Sequence, residues 1–237
     1  MAELLYLQDS YLKEFEAKVV AASGKHVFLD ETAFYPDGGG VPGDRGTITR
    51  KQDGAAFSVV SVSKTQDGIC HEVDREGLKA DDVVCGKLDW ERRYRLMRMH
   101  TTAHLLSALL YKRSGVLITG NQLGTDRSRM DFSLENFDRS MFAAICSEAN
   151  ELVSKGVPVK IYFLPRDEAL KIEGVVKLAG ALPPNIETLR IVEIVGVDMQ
   201  ADGGPHVANL KELGSIEIVK MENKGKANRR VYFTLRP

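Results

Sequence analysis

At 237 residues, with 43% hydrophobic and 27% charged residues, the chain has the make-up of an ordinary folded protein with room for two modest domains or one large one. No apolar run approaches the roughly twenty residues needed to span a bilayer, and the opening Met1-Ala-Glu-Leu-Leu carries an acid where a secretory signal carries basic residues, so a cytoplasmic protein without membrane association is expected. The formal net charge of −1 excludes a generally basic coat and leaves nucleic-acid binding to local clusters, while three widely spaced cysteines, Cys70, Cys85 and Cys146, form neither a disulfide framework nor a CxxC metal clip.

From Phe15 to about Lys87 the sequence alternates short β-branched or period-two runs with glycine-rich turns: 17–21, 26–29, 46–50, 57–62, 68–73 and 83–88. Such spacing predicts a small antiparallel β-barrel. The period then changes. Leu96, Met99, Ala103, Leu106 and Leu110 recur at helical spacing between Asp89 and Arg113, and Ser114-Gly115 supplies a stop. A strand is expected over 129–134, a second amphipathic helix over 138–155 ended by Gly156, and a further strand over 159–164 after Pro158. Strands over 188–195, 215–221 and 230–235 complete a mostly antiparallel sheet, the last two joined by a Lys224-Gly225-Lys226 hairpin turn. The fold class is therefore α+β: an N-terminal barrel over 1–88, expected to pack closely on a C-terminal α+β domain over 89–237.

Residues four apart on a helix share a face, so His100 and His104 in His100-Thr-Thr-Ala-His104 can reach one ion. Thr101 stands where an HExxH metalloprotease helix carries glutamate, which removes support for peptide hydrolysis by that route. Alone, the pair reads equally well as two histidines on a polar helix face. Asp202-Gly-Gly-Pro-His206 offers two more ligand types in a segment whose glycines and proline exclude regular helix. Four N/O ligands fit one tetrahedral zinc ion, whereas three histidines with a loosely held Asp202 leave a position for water or substrate. The alternative for the second segment is a tight turn in which Asp202 caps backbone amides and His206 packs.

These residues resemble the AlaX family of stand-alone alanyl-tRNA editing proteins, which are similar to the editing domain of alanyl-tRNA synthetase. The resemblance runs nearly end to end: Thr32-Ala-Phe-Tyr-Pro-Asp-Gly-Gly-Gly40 with Asp44-Arg-Gly46, Met99–His104, Thr119-Gly-Asn-Gln-Leu123 with Arg129-Met-Asp-Phe-Ser133, and Asp202–Val207. The glycine-rich N-terminal half and the length are those of the medium-sized class. Two positions depart from the synthetase pattern: Asp202 replaces a cysteine, a hard ligand for a soft one, and Val41 replaces a glutamine after the paired glycines.

The resemblance implies an ATP-independent, zinc-dependent hydrolase that deacylates mischarged alanine tRNA at its acceptor end, Ser-tRNA(Ala) foremost and Gly-tRNA(Ala) as well, while sparing Ala-tRNA(Ala). It implies His100, His104, His206 and Asp202 as zinc ligands, His100, His104 and Thr32 as the residues carrying the chemistry, and Thr32 with Gly39, Gly40 and Gln122 as substrate contacts. Thr32 is the expected reader of the serine hydroxyl. Zinc then either activates water or grips the substrate amino group. Lys224, Lys226, Arg229 and Arg230 on the last hairpin are expected to meet tRNA phosphates; Arg92, Arg93, Arg95 and Arg98 can do the same or pair with Asp89 and Glu91. Two other readings stand beside this one: a non-catalytic tRNA-binding paralogue, and a zinc hydrolase of small esters or amides. The oligomeric state is left open.

Overall fold

The computed structural model describes residues 2–134, 139–172, 175, 186–225 and 228–236. The chain divides into two compact units, Met1–Arg95 and Leu96–Pro237.

In the first unit β1 (Glu3–Leu4) and the one-turn helix α1 (Leu5–Gln8) precede β2 (Glu14–Ser23), β3 (His26–Leu29), β4 (Glu31–Thr32), β5 (Gly46–Arg50), β6 (Ala56–Thr65), β7 (Gly68–Val73) and β8 (Val83–Leu88). Six of these strands close a barrel in the order β2-β3-β7-β6-β5-β8, every neighbouring pair antiparallel, while β1 and β4 form a two-residue parallel pair. The expected barrel is thus present. Its cause is visible in β2, where Phe15, Ala17 and Val19 are buried and Glu14, Glu16 and Lys18 face out. Val27, Leu29, Phe34, Ile48, Phe57 and Val59 join them in one core.

Helix α2 (Trp90–Ser114) begins in this unit and continues into the next. Its early turns serve the barrel. Arg93 is wholly buried, and its guanidinium pairs with the Asp44 carboxylate through Nε (3.0 Å) and Nη2 and donates to the carbonyls of Ser10 (3.1 Å) and Ala33 (2.5 Å). Asp44 also accepts from the Tyr35 amide at 2.7 Å, so one ion pair anchors both arms of the glycine-rich segment.

The second unit contains the rest of α2, then β9 (Ile118–Gln122), β10 (Ser128–Phe132), α3 (Arg139–Lys155), β11 (Val159–Pro165), the one-turn helix α4 (Arg166–Ala169), β12 (Thr188–Ile194), β13 (Asp198–Ala201), β14 (Ser215–Asn223) and β15 (Arg229–Arg236). The strands expected in one sheet fall into two antiparallel ones, β14-β15-β10-β9 and β11-β12-β13. Helix α3 buries Phe142, Ile145, Ala149 and Val153 on one face; Asp138, the expected start, lies outside the described residues. Helix α2 departs from a simple amphipathic pattern, because every residue from Met99 to Leu110 is buried. Two of its hydroxyls are satisfied from within: that of Thr102 donates to the Arg98 carbonyl at 2.8 Å and that of Ser107 to the His104 carbonyl at 2.9 Å. No helix among the described residues is long and apolar enough to cross a membrane.

Candidate metal centre

Strand β13 pairs Ala201 with Ile191 of β12 and delivers the chain directly into Asp202. Arg190 of β12, itself buried, then shapes the loop: its Nη1 donates to the carbonyls of Asp202 (2.8 Å) and Gly204 (2.9 Å), and its own carbonyl accepts from the Asp202 amide at 3.1 Å. Asp202 Oδ1 accepts from the Gly204 amide at 2.6 Å, so the capping turn foreseen as an alternative does form, and the same carboxylate also faces the histidines. Gly204 has to be glycine. A Cβ there would lie 2.6 Å from His100 Cε1 and 2.8 Å from its Nδ1.

The helix pair and the loop pair meet. Ligand atoms of His100, His104, Asp202 and His206 all lie within 4.8 Å of one another. Asp202 Oδ2 is 3.6 Å from His100 Nε2 and 3.7 Å from His104 Nε2, and Oδ1 is 3.3 Å from His206 Nε2. The donors of a tetrahedral zinc site with bonds of about 2.0–2.1 Å stand about 3.4 Å apart, close to these separations. The rings of His100 and His206 stack at 4.1 Å, with His104 edge-on to His100 at 4.8 Å.

Partners behind the rings decide which nitrogen each presents. His100 Nδ1 lies 3.4 Å from the Pro205 carbonyl, which only accepts, so the proton sits on Nδ1 and the Nε2 lone pair faces the cluster. His206 Nδ1 lies 3.0 Å from Thr101 Oγ1, which also accepts from the Val207 amide at 3.3 Å. Among the described residues, buried His104 Nδ1 has no hydrogen-bond partner.

Burial lowers the pKa of His100 to about 4 and carries that of His206 well below its ordinary value. For Asp202 burial acts to raise the carboxyl, but the three surrounding histidines outweigh it and leave it well below the ordinary carboxylate range. At neutral pH the neutral imidazoles of His100 and His206 therefore converge with the Asp202 carboxylate, and the His104 ring faces the same point. A divalent cation is their electrostatic complement, and the nitrogen-rich donor set suits zinc. Asp202 is the most open member, with its side chain 24% exposed.

The other expected site residues are distributed as follows. Thr32 in β4 is fully buried; its Oγ1 lies 2.8 Å from His71 Nε2 and accepts from the Phe34 amide at 3.1 Å. Gly39 and Gly40 form the exposed tip of a turn closed by two bonds between Gly38 and Val41, and their φ values of 59° and 82° are those glycine permits. Gln122 lies at the exposed end of β9, accepting from Arg129 Nε at 2.9 Å. On the hairpin, Arg230 is held by Asp131 through two bonds of 2.6 and 2.8 Å, Lys224 pairs with Glu222 at 3.1 Å, and buried Arg229 donates to the carbonyls of Gly225 and Asn228. Lys226 lies outside the described residues. Among the helix arginines, Arg95 pairs with Glu91 at 2.7 Å and Arg98 donates to the Leu213 carbonyl at 2.6 Å. Arg190 and His71 carry no signal in the sequence, whereas Thr101 stands out there only as the residue in the glutamate position of an HExxH helix and not as a partner of His206.

Over the full length of both chains, this sequence is 50% identical to the alanyl-tRNA editing protein AlaX-M of Saccharolobus solfataricus, and it is 49% identical to that of Methanosarcina barkeri over 99% of each. The chain belongs to the AlaX-M family of alanyl-tRNA editing proteins. Beyond that family it is 39% identical to an alanine–tRNA ligase of Methanococcus aeolicus, over 93% of this chain and 24% of the ligase. Residues 2–92 match the model of tRNA synthetases class II (A), and residues 189–232 that of the threonyl and alanyl tRNA synthetase second additional domain. The second span contains Arg190, Asp202 and His206, whereas His100 and His104 lie outside both. The AlaX-M relatives cover the whole cluster.

Proposed function

We propose that the protein is a trans-editing hydrolase of the cytoplasm that cleaves the ester of mischarged alanine tRNA, Ser-tRNA(Ala) foremost and Gly-tRNA(Ala) as well, and spares Ala-tRNA(Ala). The observation that carries this reading is the convergence of His100, His104, Asp202 and His206 in a chain half identical, end to end, to an alanyl-tRNA editing protein.

The three histidines and Asp202 would hold one zinc ion, which supplies Lewis acidity and lowers the pKa of water. The chain's own contributions are distinct. Burial keeps the His100 and His206 imidazoles neutral and so available as donors. The Pro205 carbonyl and Thr101 hydroxyl turn the Nε2 atoms of His100 and His206 inward. Asp202, the least buried member, is the group best placed to meet solvent. Thr32 reads the single hydroxyl that separates serine from alanine; a site built to bond such a group rejects the analogue lacking it by roughly 10⁴- to 10⁵-fold. Gly39, Gly40 and Gln122 supply further substrate contacts, and the hairpin, through Lys224, meets acceptor-end phosphates.

Deacylation of Ser-, Gly- and Ala-tRNA(Ala) measured side by side, with and without chelator, tests this reading. Serine and glycine esters should be cleaved and the alanine ester retained, with loss of activity on chelation and recovery on adding zinc. The His104→Ala variant should lose both bound metal and deacylation. Full activity of a metal-free variant would overturn the role of the cluster, and binding of tRNA(Ala) without deacylation of any ester by zinc-loaded protein would make the chain a non-catalytic binder.

A further inference from the structure

One row of residues crosses the β11-β12-β13 sheet and ends at the metal cluster. Phe163 of β11 stands directly opposite Arg190 of β12, and the Arg190 carbonyl accepts from the Asp202 amide at 3.1 Å where β13 ends. Directly opposed residues of antiparallel strands share a face, so Phe163 and Arg190 point to one side of the sheet and Asp202 continues their row. That side meets α2. Val192 and Gln200 form the next row on it, with Gln200 Nε2 3.5 Å from the Ser107 hydroxyl, and Asp202 Oδ2 approaches His100 and His104.

Cover on this side ends at the edge strand. Ile194, Val192 and Arg190 of β12 and Val159 of β11 are buried, whereas Phe163 is 49% exposed. On the other side of β11, Tyr162 and Leu164 pack on the small core of Ala169, Val175, Leu189 and Ile191, so Phe163 is no part of that core. It is the one aromatic ring among the exposed large hydrophobic side chains of the described residues. Neighbouring strands lie about 4.8 Å apart, which sets the Phe163 backbone about 10 Å from that of Asp202, with Arg190 between them.

An aminoacyl-tRNA ester is carried by the last ribose of the chain, and the base of that nucleotide lies across the ribose from the reacting carbonyl. An ester held at the cluster therefore brings a flat, uncharged π-face into the range of the exposed ring.

We propose that Phe163 is the platform on which the base of the ester-bearing terminal nucleotide stacks while its aminoacyl group lies at the metal cluster. This rests on the reading of the cluster as the deacylation site. It goes further in assigning the nucleic-acid contact nearest the chemistry to an uncharged ring on β11 and not to the basic hairpin. Such a contact releases no counterions, so its loss weakens binding without changing the salt dependence. Every base has a π-face, so the platform requires a base and tolerates its identity.

The test uses zinc-loaded full-length protein as wild type, Phe163→Ala, Phe163→Leu and Phe163→Trp, with tRNA(Ala) whose last nucleotide carries either a fluorescent adenine analogue or no base. Stacking quenches the analogue, so uncharged tRNA should be quenched by wild type and Phe163→Trp but not by Phe163→Ala, nor by Phe163→Leu, which is apolar and has no π-face. With Ser-tRNA(Ala), Phe163→Ala should lower kcat/KM about five- to a hundredfold through KM, the worth of one base stacked on a ring. Wild type should show the same loss when the terminal base is absent, and Phe163→Ala no loss beyond it. Quenching that survives in Phe163→Ala overturns the proposal, as does a penalty for the missing base that is equal with and without the ring. A Phe163→Ala variant that dissociates a dimer in sedimentation while binding and cleaving like wild type also overturns it, because the exposed ring would then join two copies of the chain. Failure of the underlying reading looks different: zinc-loaded wild type would cleave no ester, and quenching of uncharged tRNA alone then decides whether the ring stacks a base.

Discussion

Thr101 occupies the position at which a metalloprotease helix carries its glutamate, and a threonine there performs orientation instead of proton transfer. Its hydroxyl oxygen joins the Nδ1 of His206 to the backbone amide of Val207, and so fixes the ring that arrives from the loop against the helix that supplies the other two. Partners of this kind behind a ligating imidazole set its tautomer, and their loss costs about 10- to 100-fold in metal affinity. Thr101→Val, which keeps the shape and removes the hydroxyl, should therefore weaken zinc binding by that factor in a competition titration with a chromogenic chelator, while Thr101→Ser stays close to wild type. Equal affinity in all three would show that loop packing alone orients His206. Gly204 acts at the same scale through what it lacks, since no side chain fits between the loop and His100.

Among the elements, the final hairpin is where charge counting and structure differ most. Four basic residues were expected to face phosphate, yet Arg230 is clamped by Asp131 and Arg229 is buried against backbone carbonyls. Arg230 and Lys224 should separate in their effects. Arg230→Ala strands the Asp131 carboxylate and should lower the melting temperature, whereas Lys224→Ala should leave it unchanged and weaken tRNA binding, with a smaller dependence on salt in a filter or anisotropy assay. A melting temperature unaffected by Arg230→Ala would contradict this division. The barrel was legible because period-two burial and glycine turns are local signals, as in 26–29, 46–50, 68–73 and 83–88, each of which matches its strand end to end. Strand β13, Asp198-Met-Gln-Ala201, went unread because its residues carry little strand preference and its pairing with β12 is tertiary. The same reason hid part of the site: i,i+4 spacing exposes His100 and His104, but nothing in the sequence next to His71 or Arg190 announces partners that lie 39 and 12 residues away.

For the molecule as a whole, neutral buried histidines set the response to acid. His71 and His100 have folded pKa values of about 4, and that of His206 is lower than its ordinary value, in each case first because of burial. All three fall below the unfolded value of about 6.5, so the unfolded chain binds more protons and stability declines as pH drops. The stabilisation is complete above about pH 6.5 and is lost progressively toward pH 4, at up to about 1.4 kcal/mol per pH unit for each ring. Melting temperatures from pH 7.5 to 4 should fall across that window, and His71→Gln should flatten the curve; a melting temperature constant to pH 4.5 would contradict it. The buried pair between Asp44 and Arg93 bears on something else, namely where the chain can be cut. The last barrel strand ends at Leu88, but the guanidinium that neutralises Asp44 arrives from the end of the first turn of the helix that follows. A fragment ending at Leu88 would bury an unanswered carboxylate, a loss of about 3–5 kcal/mol, whereas one ending at Arg95 keeps its counter-ion. Limited dissection should accordingly yield a soluble, cooperatively melting barrel from residues 1–95 and an unstable one from residues 1–88, placing the functional seam of the polypeptide inside a helix and not in the loop before it.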